Sequence, residues 1–209
     1  MSLLDFLLSL VHTFSWLAVY TGIRRWKQLD SGQKATWCWL LMAAVFNSGM
    51  SILTNLGYPT MLLGWATYPI YAAVGTYALT ALRPADRIRN WLWIGFGGYC
   101  LVWLIAGSPG RGFPSVSAPL LWLLLSLCAT TLLISRLRET RAPLGDFGAL
   151  IAIGTLVSYL PSIALEPLGT IIYPSNPDLF QALWRGKEAL HVIGAAIWFR
   201  AFVVGIPRR

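Results

Sequence analysis

The stretch LLDFLLSLVHTFSWLAVYTGI, Leu3 to Ile23, followed at once by Arg24-Arg25-Trp26-Lys27, decides the fold class. About 20 predominantly apolar residues are what a helix needs to cross the hydrocarbon layer of a bilayer, and basic residues at the end of such a run are retained on the cytoplasmic side. No basic residue precedes the run. A secretory signal carries positive charge before its apolar core and a small-residue cleavage site after it. The segment therefore reads as a first span that stays in the protein, with its N-terminus outside.

Six further apolar stretches follow, from Ala35 to Leu53, Met61 to Leu82, Trp91 to Ala106, Ala118 to Ser135, Phe147 to Leu165 and Glu188 to Ile206. Composition agrees: 56% of the 209 residues are hydrophobic and 11% charged, against roughly 25% charge in soluble domains. The expectation is an all-α polytopic membrane protein, a bundle of about seven transmembrane helices forming a single domain over residues 1–209. The bacterial cytoplasmic (inner) membrane is its expected location.

Orientation follows from the basic residues. Arg24, Arg25, Lys27, Lys34, Arg83, Arg87, Arg89, Arg136, Arg138, Arg141, Arg208 and Arg209 fall in loops after odd-numbered spans or in the tail; loops after even-numbered spans hold Arg111, Arg185 and Lys187. This asymmetry predicts N-out, C-in. The net charge of +8 belongs to these clusters and not to one polar face, so nucleic acid is excluded as a partner. The bilayer is the expected partner, with an apolar small molecule and an oligomeric or complex partner as further candidates. Arg200, inside the last span, is expected to snorkel to the headgroups.

Breakers mark the outer turns: Gly57-Tyr58-Pro59, Ser108 to Gly112, and Tyr173 to Pro177. The longest connection, Glu166 to Lys187, contains a helix start, because Asn176 suits an N-cap, Pro177 the first turn and Asp178 the helix dipole. It either continues into span seven or lies on the membrane surface.

Polar groups inside hydrocarbon are costly and are the candidates for function. At 1.5 Å per residue, His12, Asn47, Tyr68, Tyr99, Ser158 and Tyr159 fall roughly 9 to 13 Å below the outer surface. Five spans thus feed one layer, which predicts a ligand-binding pocket in the outer half; separate interhelical hydrogen bonds are the alternative. A second candidate is an outer rim on span seven, where Trp184, Glu188, His191, Ala195 and Trp198 recur at helical spacing and Glu166 can approach from span six. It reads as a solvated ion-pair rim. Two histidines at different depths make a poor zinc set, so no metal site is expected.

Other classes are excluded. Cys38, Cys100 and Cys128 lie in apolar runs at spacings that match no zinc or redox pattern and read as buried packing residues. Gly95, Gly97 and Gly98 lie within span four and are expected to allow close helix packing; no phosphate-binding loop with a lysine occurs. A retinal pigment of the microbial-rhodopsin kind needs a lysine within the last span and acids in the third, and neither is present. Internal repeats are weak. The residues name no cofactor. The expected function is binding of an apolar or amphipathic small molecule, as sensor, carrier or accessory subunit. An intramembrane enzyme acting on a lipid or isoprenoid, and a structural subunit of a larger complex, are the alternatives.

Overall fold

A computed structural model describes residues 3–58, 61–83, 86–106, 116–140 and 142–206. These residues form seven α-helices and no strand: α1 (Leu3–Arg24), α2 (Ser31–Asn55), α3 (Met61–Ala81), α4 (Arg87–Ala106), α5 (Ser117–Glu139), α6 (Phe147–Ser175) and α7 (Pro177–Val204). Four of them, α1, α2, α5 and α6, are long and apolar enough to cross a membrane. In α3 the aromatic residues Trp65, Tyr68, Tyr71 and Tyr77 dilute the aliphatic content, and α7 carries charge in its first half.

Helix starts are written locally. Asp30 closes a capping box at the start of α2: its carboxylate accepts from Gln33 N (2.8 Å) and Gln33 Oε1 accepts from Asp30 N (3.1 Å). Asp146 caps α6 by accepting from Ala149 N (2.8 Å), and Asn176 caps α7 by accepting from Leu179 N (3.0 Å). The last of these corrects the expected long connection. Helix α6 continues through Pro167 and Pro174 to Ser175, and α7 starts at Pro177, so the turn narrows to Asn176.

Successive helices run up and down. Six of them, α1, α2, α3, α5, α6 and α7, close a ring in that order, with α6 packed most extensively on α7; α4 lies outside it, against α3 and α5. Trp103 on α4 stacks on Trp65 of α3 with ring centroids 4.5 Å apart and donates to the Trp65 carbonyl (3.2 Å). Close packing inside the ring occurs where α6 crosses α7. A Cβ on Gly194 would lie 2.0 Å from Ser158 Oγ, and one on Gly154 would lie 2.6 Å from the Trp198 ring, so only glycine permits the approach. The glycines expected to serve this purpose do not: a Cβ on Gly97 or Gly98 would meet open space, and one on Gly95 ordinary contact.

One end of the ring gathers the basic residues. Arg25 donates to the carbonyls of Phe202 (3.0 Å) and Val203 (2.8 Å) at the C-terminus of α7, where a cation meets the negative end of the helix. Arg136 donates to Leu82 O (2.6 Å), tying α5 to the end of α3. Asp86 accepts from Arg89 N (2.9 Å) and Arg83 Nη2 (2.6 Å). The Arg89 backbone N–H foremost, and the Arg83 guanidinium after it, hold the Asp86 carboxyl below the usual carboxylate range. Arg200 is exposed on the outside of the ring, as snorkelling requires. Among the cysteines only Cys128 is fully buried; Cys38 is exposed, so its expected packing role fails.

Candidate functional site

The interior of the ring is paved with aromatic side chains, which fill space with few rotatable bonds and carry polar edges that can meet one another. Trp39 lies at its centre, with ring centroids 6.1 Å from Tyr71 and 5.9 Å from Trp198. Tyr159 stacks on Trp122 at 4.6 Å, and the hydroxyls of Tyr71 and Tyr159 are hydrogen-bonded to each other. One phenolic proton of that pair stays free to donate.

Beside this floor lies a cavity of about 50 Å³. Val11 and Ser15 of α1 and Leu40, Ala43 and Asn47 of α2 form one side; Tyr71, Ser158, Tyr159, His191 and Trp198 form the other. Leu40, Ala43 and Asn47 share one helical face, i, i+3, i+7. The first two are buried and Asn47 is exposed, so the ring is sealed around Leu40 and opens beside Asn47.

Three polar atoms of wall residues have no hydrogen-bond partner among the described residues, Ser158 Oγ, His191 Nε2 and the donor Trp198 Nε1. Ser158 is 2% exposed. His191 is held by its other nitrogen: Nδ1 lies 3.3 Å from Glu188 Oε2. An ionised carboxylate only accepts, so the proton of the neutral ring belongs on Nδ1 and the lone pair of Nε2 faces the cavity.

Above the cavity, toward the α6–α7 turn, sits a charged cluster. Lys187 Nζ lies 3.7 Å from Glu188 Oε1 and 3.9 Å from Glu166 Oε1, and 3.5 Å over the Trp184 ring. Glu166 Oε1 also accepts from Trp122 Nε1 (2.8 Å), while its Oε2 has no partner among the described residues. Glu166, Lys187 and Glu188 are 7%, 6% and 5% exposed. The expected solvated rim is therefore a buried one, and the reason is the length of the α6–α7 hairpin. Both helices extend past these residues and cover them.

The two sequence candidates meet in one place. Asn47, Ser158 and Tyr159 line the cavity together with His191, which the sequence assigned to the rim. Tyr68 sits one turn from Tyr71 and packs on Trp122, with centroids 6.4 Å apart, behind the wall. Tyr99 is buried on α4, outside the ring. His12 is half-buried on α1 next to the lining residue Val11, within electrostatic reach of Glu188. Sequence reasoning missed Ser15, Tyr71 and Lys187. A small-residue face on α1, Ser15, Ala18 and Gly22, and the Tyr68/Tyr71 spacing were the available signals. Among the described residues no group of three or more His, Cys, Asp or Glu could hold a metal ion.

The fold and site define a class: an all-helical protein, four of whose helices are long and apolar enough to cross a membrane, with a small, partly open chamber walled largely by aromatics. The chain matches no known protein-family model, no curated protein and no solved structure.

Proposed function

We propose that this chain is a seven-span integral membrane protein, N-terminus outside, that binds a single-chain amphiphile by its polar end in the chamber beside Asn47. The single observation carrying the reading is a cavity whose wall residues include the unpartnered Ser158 Oγ, His191 Nε2 and Trp198 Nε1. Unpartnered buried polar atoms are unfavourable by about 1 to 3 kcal/mol each, and a ligand that pairs with them recovers that energy. A cavity of about 50 Å³ is far smaller than the roughly 300 to 1,000 Å³ that encloses a whole organic ligand. Only a polar end of a few atoms enters, and the apolar tail stays in the membrane beside α1 and α2.

Seven spans are supported by packing. Helices α3, α4 and α7 have 21, 20 and 28 residues, lengths of about 30 Å or more, and lie side by side with the four apolar helices. The basic end, on this reading, faces the cytoplasm. Reporters fused after Arg89, Arg141 or Arg209 should behave as cytoplasmic, and those after Pro59, Arg111 or Pro174 as external; reversal at two or more sites ends the topology.

Binding is tested by photolabelling the protein in nanodiscs with alkyl probes carrying a diazirine near the head. Labelled peptides should come from Val11 to Ser15 and Leu40 to Asn47. Ala43→Trp, which fills the chamber, should abolish the labelling. Labelling confined to the lipid-facing surface, unchanged by Ala43→Trp, refutes the site. A second reading, an enzyme acting on a lipid or isoprenoid, draws on the carboxylate-oriented His191 facing the same chamber as Ser158. Chemical conversion of the probe head during the same incubation would favour it.

A further inference from the structure

The charges around the chamber do not balance. Glu166 and Glu188 contribute two buried carboxylates and Lys187 one ammonium, each more than nine-tenths buried. An uncompensated charge held away from water is strongly unfavourable. One further positive charge is therefore required, and it is either a proton held within the cluster or a cation that arrives with a ligand.

The groups facing the chamber suit a cation. His191 Nε2 offers a lone pair; Ser158 Oγ, which has no partner, and the tyrosine hydroxyls offer more. Tyr71, Tyr159 and Trp198 line the chamber, and aromatic π-systems attract ammonium groups in a desolvated site. A carboxylate head would add a third negative charge and meet the His191 lone pair. An alcohol would satisfy the hydrogen bonds and leave the charge unbalanced. A primary ammonium carries three donors and the missing charge, and it fits the volume; a trimethylammonium does not.

We infer that the chamber selects a primary ammonium head, so that the ligand is a long-chain primary amine whose binding displaces a proton from the cluster. This inference rests on the amphiphile reading above and specifies its head. The titratable and charged groups around the chamber are His12 on α1, Tyr68 and Tyr71 on α3, Tyr159 and Glu166 on α6, and Lys187, Glu188 and His191 on α7. Helices α2 and α5 contribute the uncharged Asn47, Trp39 and Trp122. Amine and proton compete for one excess negative charge. Affinity should therefore rise with pH, by up to about tenfold per unit, and level off once the cluster has lost its proton.

The experiment uses full-length protein in phosphatidylcholine nanodiscs and four photoreactive dodecyl probes, bearing a primary ammonium, a hydroxyl, a carboxylate and a trimethylammonium head. Chamber labelling is measured between about pH 5.5 and 8.5. The primary amine should label at least about tenfold more efficiently than the alcohol and the trimethylammonium probe at the upper pH, and lose that advantage at the lower. Glu188→Gln, which removes the excess negative charge, should bring amine labelling down to the level of alcohol labelling measured in the same variant. Glu166→Gln is the second variant if the first does not fold. Equal labelling by amine and alcohol, stronger labelling by the carboxylate, or a pH-independent amine preference overturns the inference and leaves the chamber standing. Failure of all four probes to label the chamber refutes the amphiphile reading itself.

Discussion

The two ends of the bundle treat charge in opposite ways. At the basic end, Arg24, Arg89 and Arg138 lie on the surface or partly so, Arg25 turns inward onto the carbonyls of Phe202 and Val203, and the buried Arg83 pairs with the partly exposed Asp86. Near the α6–α7 turn, Glu166, Lys187 and Glu188 are packed within protein. Exposed pairs are worth little because water screens them. Buried ones are held together by the cost of leaving any member alone. The first end closes the bundle; the second, on the proposed reading, is where a ligand changes the energy of the protein.

The largest expected contrast comes from removing one cation at each end. Lys187→Met removes the ammonium that two buried carboxylates share and should destabilise the protein by about 3 to 5 kcal/mol at neutral pH. Lowering the pH should restore part of the loss, because protonation removes the repulsion. Arg138→Met, at the basic end, should change stability by about 0.5 kcal/mol or less. Thermal unfolding in detergent across pH decides it; equal losses would show that burial of the cluster is not what holds it.

Glycine substitutions sharpen the comparison at the level of packing. Gly194→Ala places a methyl 2.0 Å from Ser158 Oγ and 2.7 Å from the Gly154 carbonyl, and should cost about 1 to 3 kcal/mol in the same assay. Gly97→Ala meets no atom within 4 Å and should be neutral or slightly stabilising, since alanine favours the helix. A larger loss at Gly97 would mean that α4 packs against something the isolated chain lacks, and would favour the structural-subunit alternative.

Smaller effects separate the two histidines. His191→Ala should weaken chamber labelling by about tenfold, the loss of one hydrogen bond to a charged head, while His12→Ala should change it less. Sequence depth alone favoured His12, the deeper residue, but the structure puts His191 on the chamber wall and His12 beside it. Normal labelling of His191→Ala with loss in His12→Ala would move the site toward α1. At the basic end Asp86 gives the acid-side control. Its lowered carboxyl contributes stability present above about pH 4 and lost as the pH falls further, so stability there should be flat across the range in which the chamber responds.

Much of this molecule is set by local sequence. Runs of about 20 apolar residues broken by basic clusters can satisfy their backbone in a membrane only as helices, so the all-helical fold followed from hydropathy. Asn176, placed before its helix, marked one start, and Asp30 and Asp146 cap theirs in the same way, because a capping bond forms between residues three apart and needs nothing distant. Depth along each helix was legible too, at a fixed rise per residue, and it put Asn47, Ser158 and Tyr159 in one layer. What tertiary structure decided was azimuth and neighbour. Rise per residue says how far Tyr99 lies along α4; only the packing of α4 outside the ring removes Tyr99 from the chamber. Sequence separated Glu166 from Lys187 by a long connection, and only the extension of α6 to Ser175 and the antiparallel fold of α7 upon it bring them within 4 Å and shut out water. Charge balance at that point is a property of helices meeting, since each helix alone would leave its polar groups to the solvent.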